Sequence, residues 1–201
     1  MAGAERLAAG LAAISAADQR LSTRIAGGRV PRSADPTHLL GRANGLPTWF
    51  GTAALLATRG GRGRRVALHA GVAAGTASWL NRHALKPRFG RTRPDAARRT
   101  TPSFPSGHAS TGSAFATTVA LEWPAVAPVC AVLSAAISIG RVRDEQHHLL
   151  DVVAGTVFGV AVAVAIHPAV VAVDRRVRAG FSPAVPGSET GTLLPTSEAA
   201  E

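Results

Sequence analysis

Two stretches of this chain concentrate side chains able to bind and transfer charge. The first, "LKPRFGRTRPDAARRTTPSFPSGH" at 85–108, holds Lys86, Arg93, Ser106, Gly107 and His108. The second, "GRVRDEQHHLLD" at 140–151, holds Arg141, His147 and Asp151. Arginine offers an anion a planar fork of donors and lysine a compact point charge. Ser106 and Gly107 stand just ahead of an apolar helix-like run, where exposed backbone N–H groups favour an anion. Asp151 follows His147 by four residues, so the two share a face if a helix begins slightly early. A carboxylate there would take the Nδ1–H of the imidazole and leave Nε2 as a directed nucleophile or base. His108 is a second group able to move protons. Together these residues would surround a phosphate with positive charge, each charge-assisted hydrogen bond contributing about 1.5–3 kcal/mol. Taken singly each has an ordinary reading: Ser-Gly-His as a turn into a helix, His–Asp as a common helical pair, arginines as membrane-surface anchors.

Those residues must be positioned by the apolar segments around them. Five fall at about 47–58, 66–85, 108–122, 124–140 and 149–173, with "EWP" at 122–124 breaking the third from the fourth. Two antiparallel helices joined by that short break would return the chain to its starting side, so both polar stretches are expected at one end of a bundle. A bilayer span needs about 20 mostly apolar residues, and these segments are individually borderline. Collectively they predict an all-α, polytopic membrane bundle of about five core helices. Gly71/Gly75 and Gly155/Gly159 are small-xxx-small pairs that would let helices approach closely. Before the bundle, Leu7, Leu11, Ile14 and Leu21 recur at helical spacing among charges, an amphipathic helix over 4–21, followed by an irregular Gly/Pro/Arg connection over 22–47. The expected organisation is therefore 1–46 as helix and linker, 47–178 as the helical domain, and 179–201 as a disordered tail.

Composition narrows the partners. A formal charge of +10 raises nucleic acid or anionic lipid. Yet the basic residues interrupt apolar blocks, and aromatics are only 4% with no Tyr, so there is no interleaved stacking surface for bases. Nucleic acid is not an expected partner. Of the 22 basic residues only Lys86 is lysine, which singles out one position for an ammonium. The lone Cys130 rules out an internal disulfide.

With these spacings in view, the chain resembles the type 2 phosphatidic acid phosphatase superfamily, which includes membrane lipid phosphatases, soluble acid phosphatases and vanadium haloperoxidases. The resemblance rests on Lys-x6-Arg-Pro as "KPRFGRTRP" at 86–94, on "PSGH" at 105–108, and on Arg141, His147 and Asp151 within "GRVRDEQHHLLD". It implies a lipid phosphatase in which His147 attacks phosphorus to form a phosphohistidine and Asp151 orients it. His108 would protonate the leaving oxygen and later help activate water. Lys86, Arg93, Ser106, Gly107 and Arg141 would hold the phosphoryl oxygens, with no metal or other cofactor. The implied partners are the bilayer and a lipid phosphate or pyrophosphate, polyprenyl or glycerolipid.

The sequence departs from the family pattern at Gly140, where a Ser is usual, and in "VRDEQ", where Asp144 and Glu145 replace an apolar run and bring negative charge near the site. His148 offers an alternative register, although the spacing favours His147. Rival readings are a metal-dependent membrane hydrolase using His147, His148, Asp151 and Glu145, a non-catalytic anionic-lipid-binding membrane protein, and a soluble vanadate-binding oxidase. Arg59, Arg62, Arg64 and Arg65, with Arg175, Arg176 and Arg178, are expected on the face away from the site, which by the positive-inside rule makes the site extracytoplasmic.

Overall fold

A computed structural model describes residues 2–27, 45–95 and 101–180. Six α-helices account for most of these residues: α1 (Ala2–Ala26), α2 (Gly45–Ala57), α3 (Gly60–Leu80), α4 (Gly107–Glu122), α5 (Ala127–Arg143) and α6 (Leu149–Gly180). No strand occurs among the described residues. Five bundle helices preceded by one N-terminal helix is the architecture the sequence predicts. Its boundaries differ in detail. The first helix runs on to Ala26, and Ile25 packs against Ala109, Val142 and Val152, so the chain just past residue 21 is helical and seated rather than irregular. Residues 45–47 already belong to α2, the expected linker from 28 to 44 lies outside the described residues, and so does the expected disordered tail beyond the last turn of α6.

α4 is the axle of the bundle. It packs on α3, α5 and α6 together, and ten of its residues from Ala109 to Val119 are buried. Trp49 and Leu56 of α2, Val66 and Ala70 of α3, Phe115 and Val119 of α4 and Ile137 of α5 form the main apolar core. The interface of α3, α4 and α6 is built instead from Ala73, Ala77, Ala114, Val162 and Ala163. Small side chains let helix axes close on one another, which compensates in packing for what alanine lacks in apolar area. The buried hydroxyls of α4 are satisfied locally or across the interface: Ser113 donates to the carbonyl of Thr156 on α6 at 3.0 Å and Thr118 to Ala114 at 3.0 Å.

The two glycine pairs part company. A Cβ built at Gly155 would lie 2.5 Å from the carbonyl oxygen of Ser106, and one at Gly159 would lie 2.2 Å from that of Ser110. These glycines are where α6 presses on α4. Nothing lies within 4 Å of a Cβ at Gly71 or Gly75, which face outward. The sequence pattern is the same in both, and only one has a helix opposite it.

The outside of the bundle is apolar. Val129 and Val132 on α5 are 71% and 69% exposed, and Phe50, Leu68, Trp79, Val157 and Val164 also face outward. A soluble helix would put polar groups there. α6 and the stretch Pro124–Arg143 are long and apolar enough to cross a membrane. At roughly 1.5 Å per residue, the 32 residues of α6 reach beyond the hydrocarbon layer, and its last turns carry Asp174, Arg175, Arg176 and Arg178.

At the end of α4 away from Ser106, Glu122 gathers a partly buried polar cluster. Its Oε1 lies 2.6 Å from His69 Nδ1 of α3 and 3.1 Å from His167 Nε2 of α6, and its carbonyl accepts from Arg62 at 2.8 Å. Arg65 stands 3.9 Å from its other oxygen, and Asp174 pairs with Arg178 nearby. Glu122, which in the sequence reads as a loop residue, is the tie between α3, α4 and α6 at that end.

Substituting alanine at Gly155 or Gly159 forces backbone carbonyls of α4 to move, and each change should cost roughly 1–3 kcal/mol. Gly71→Ala should stay within about 0.5 kcal/mol of the parent. Unfolding of the three variants in one detergent checks this, and equal stabilities would remove the α4–α6 contact as the cause.

Candidate active site

Both polar stretches meet at the Ser106 end of α4. After α3 the helix widens into a π-turn, Asn81–Leu85, and tightens into a 3-10 turn, Lys86–Arg88. Such local changes of pitch redirect side chains. The widened turn holds Asn81, fully buried, which donates to Ser110 Oγ at 3.0 Å and to the Pro105 carbonyl at 3.4 Å. The segment carrying Lys86 is thereby fastened to the start of α4. Sequence reading did not single out Asn81. A polar residue inside the apolar run 66–85 was the signal that could have found it.

Arg93 is the hub between the stretches. Buried at 7% exposure, it donates through Nε to the Thr101 carbonyl at 3.0 Å and through one terminal nitrogen to the carbonyl of Gln146 at 2.7 Å. Its other nitrogen reaches the Pro102 carbonyl at 3.5 Å, the same oxygen that accepts from Lys86 Nζ at 3.1 Å. Lys86 and Arg93 therefore share a carbonyl, while Arg93 and His147 share an edge: the guanidinium lies 3.4 Å from His147 Nε2. Ser106, fully buried, is the N-cap of α4, its Oγ accepting from Ala109 N at 3.5 Å, and its own N–H donates to the Asp151 carbonyl at 2.8 Å. Gly107 and His108 follow in the first turn, half-buried at the positive end of the helix.

The turn from α5 to α6 presents the second stretch. Gln146 and His147 both donate their N–H to the carbonyl of Arg141, at 3.0 and 3.3 Å, and Glu145 takes a positive φ of 56° to let the chain reverse. Arg141, buried, donates to the side-chain oxygen of Gln146 at 3.4 Å. The "VRDEQ" segment is thus the end of α5 and its reversal. Gln146, unnoticed in sequence, supports both Arg93 and Arg141. Glu145 lines a cavity of about 610 Å³ between α1 and residues 90–94, which also bears Gln19, Ser22, Arg91, Arg93 and His148. α6 begins at Leu149, so the expected early helix start does not occur. The turn itself carries His147 over Asp151, Nδ1 facing Oδ2 at 3.6 Å. His148 Nδ1 lies at the same distance from that oxygen, but its ring borders the α1 cavity, whereas His147 borders Arg93.

That arrangement selects a tautomer. A guanidinium is only a donor, so the nitrogen beside it, Nε2, presents its lone pair. The proton then sits on Nδ1, toward the carboxylate. Burial pushes the His147 pKa down to about 4, reinforced by the charges of Arg93 and Arg141 and opposed by Asp151. A neutral imidazole with its lone pair among cations can attack an electrophilic anion; a protonated one cannot. Among the described residues no group of three or more His, Cys, Asp or Glu is arranged to hold a metal ion.

The lowered pKa fixes the sign of a stability effect. Between about pH 4 and the ordinary value of 6.5 the unfolded imidazole binds a proton that the folded one refuses. His147 should therefore contribute no penalty above pH 6.5, and stability should fall as the pH drops from there toward 4. Unfolding midpoints measured in detergent across that window should decline more steeply for the parent than for His147→Gln. Parallel curves would contradict a neutral buried imidazole.

Comparison with known proteins bears on the family and the fold. A family model described as the PAP2 superfamily matches residues 66–175, more than half of the 201 residues. Among solved structures, the chain is similar to the first transmembrane PAP2 type phosphatidylglycerolphosphate phosphatase from Bacillus subtilis. The two share 23% identity and a TM-score of 0.57 over 82% of this chain and 88% of that one, a likeness of fold. No curated protein sequence matches significantly. With its motifs drawn to one end of a helical bundle and the family model running from α3 to α6, the chain belongs to the PAP2 superfamily.

Proposed function

We propose that this membrane phosphatase of the PAP2 superfamily hydrolyses a lipid phosphomonoester or pyrophosphate through a covalent phosphohistidine. Nε2 of His147 attacks phosphorus in line with the leaving oxygen, the P–N bond forming as the P–O bond breaks. Asp151 stabilises the imidazolium as positive charge develops, and His108 gives its proton to the departing alkoxide or phosphate. Water, deprotonated by His108, then attacks phosphorus, breaking P–N and returning neutral His147 with free phosphate. Lys86, Arg93 and Arg141, with the N–H groups at the start of α4, hold the equatorial oxygens whose charge grows in the transition state. The observation that carries this reading is the placement of a buried His147 with Nε2 beside Arg93 and Nδ1 facing Asp151.

The apolar exterior supports a multi-pass protein whose substrate headgroup is met at the membrane surface. A polyprenyl or glycerolipid phosphate fits, and the named activity of the Bacillus subtilis neighbour favours the glycerolipid class. Arg62 and Arg65 gather at Glu122, and Arg178 at Asp174, so the end of the bundle away from Ser106 bears a basic cluster that is separate from the cations of the site. By the positive-inside rule that end is cytoplasmic and the site extracytoplasmic.

Phosphate release from a panel of lipid phosphates in detergent, with chelator present, tests the reading. His147→Ala should lower the rate by roughly 10³-fold or more while the protein stays folded. Substrate labelled in the phosphoryl group should leave an acid-labile, base-stable label on the parent and none on the variant. Activity surviving His147→Ala overturns the nucleophile, chelator-sensitive turnover favours a metal-dependent hydrolase, and binding of anionic vesicles without release favours a lipid-binding protein.

A further inference from the structure

Arg91 stands in the first polar stretch at a position the mechanism above does not use. Its carbonyl accepts from Ser103 N at 2.9 Å and from Ser103 Oγ at 3.2 Å, so the guanidinium is delivered from a fixed backbone. One terminal nitrogen donates to Asp151 Oδ1 at 2.8 Å and the other to Asp18 Oδ2 on α1 at 2.5 Å. Asp18 is buried at 3% exposure, and its second oxygen accepts from Leu150 N at 2.9 Å. One turn later on α1, buried Ser22 accepts from Leu149 N at 2.8 Å. The first helix of the chain therefore supplies the N-terminal cap of α6 and, through Arg91, the counter-ion of its buried carboxylate. Because Arg91 occupies Oδ1, Oδ2 remains for His148 N at 2.8 Å and for the two imidazoles.

Building on the phosphohistidine reading, we propose that Asp18 and Arg91 are positioning residues of the reaction, holding the Asp151 carboxylate so that Oδ2 faces His147. α1 is on this account part of the catalytic apparatus, although neither residue touches the phosphoryl group. A carboxylate released from Arg91 turns about its own side-chain bond and ceases to orient the imidazole. Without the adjacent guanidinium it is also a stronger proton acceptor, so His147 holds a proton to higher pH. The charged groups facing His147 are Arg93 from the first stretch, Arg141 from α5 and Asp151 from α6, with His148 sharing the carboxylate. Neither Arg91→Gln nor Asp18→Asn removes any of these groups, so a shift in the His147 titration reports the Asp151 carboxylate.

The test uses the full chain in detergent with Arg91→Gln, Arg91→Lys, Asp18→Asn, Asp151→Asn and the Arg91→Gln/Asp151→Asn pair. Asparagine at 18 retains an oxygen for Leu150 N–H but loses the ion pair. Arg91→Gln and Asp18→Asn should lower kcat roughly 10- to 100-fold and leave KM within about threefold. The acid limb of kcat should move to higher pH in Arg91→Gln and return toward the parent position in Arg91→Lys. Adding Arg91→Gln to Asp151→Asn should cost no further activity, since both act through one carboxylate. NMR titration of the His147 ring, which needs no turnover, should show the same upward shift in Arg91→Gln. A loss that only tracks the folded fraction, with the His147 titration unmoved, overturns the proposal, as does an additive loss in the double variant. If the titration shifts while His147→Ala keeps its activity, the positioning network stands and the phosphohistidine reading falls.

Discussion

A carboxylate with no exposure to solvent dictates how this end of the molecule is assembled. Removing an ionised group from water costs several kcal/mol unless donors replace the lost hydration. Asp151 finds its donors in Arg91 and in the His148 amide, with the His147 and His148 rings close by. The first turn of α6 adds the favourable end of a helix dipole. Its own carbonyl is also used, accepting from Ser106 N, so the residue that organises the imidazole also fixes the cap of α4. Moving any of these elements leaves a buried charge underserved, and that penalty holds the turn, α4 and α6 in one register.

The rest of the bundle protects that register. Gly155 and Gly159 bring α6 against the carbonyls of Ser106 and Ser110, which shortens the distance across which Asp151 and Ser106 meet. At the far end Glu122 binds His69 and His167, so α4 is pinned to α3 and α6 at both termini by polar contacts and along its length by small apolar ones. A helix secured this way cannot slide by a residue without stranding buried polar groups at both ends. Catalytic constellations tolerate misplacement of only about 0.5 Å, which makes rigidity far from the site a requirement of the site.

Arginines do two kinds of work here. Arg93 spreads its donors over carbonyls from both polar stretches and so brings them together before any anion binds. Arg91 instead bridges two carboxylates, one on α1 and one on α6. Both tasks need several donors in fixed directions on one charge, which a lysine ammonium on a flexible stem supplies poorly. Lys86, the only lysine, donates to the Pro102 carbonyl that Arg93 also reaches, a contact that suits a point charge.

Much of this was legible in the chain itself. Apolar segments separated by a short break, with polar stretches spaced so that two antiparallel helices return to one side, imply the bundle and the meeting of Lys86 and Arg93 with Arg141, His147 and Asp151. Those inferences depend on periodicity and local spacing, which sequence carries directly. The sequence could not say that Gly155/Gly159 face a helix while Gly71/Gly75 do not, because identical spacing says nothing of what lies opposite. Nor could it say that Glu122 ties three helices together, that Asn81 fastens the widened turn, or that His147 meets Asp151 through a turn. Arg91 and Asp18 were hidden for the same reason: a residue on the first helix and one in a loop became partners of Asp151 only when long-range packing buried a charge and required donors for it.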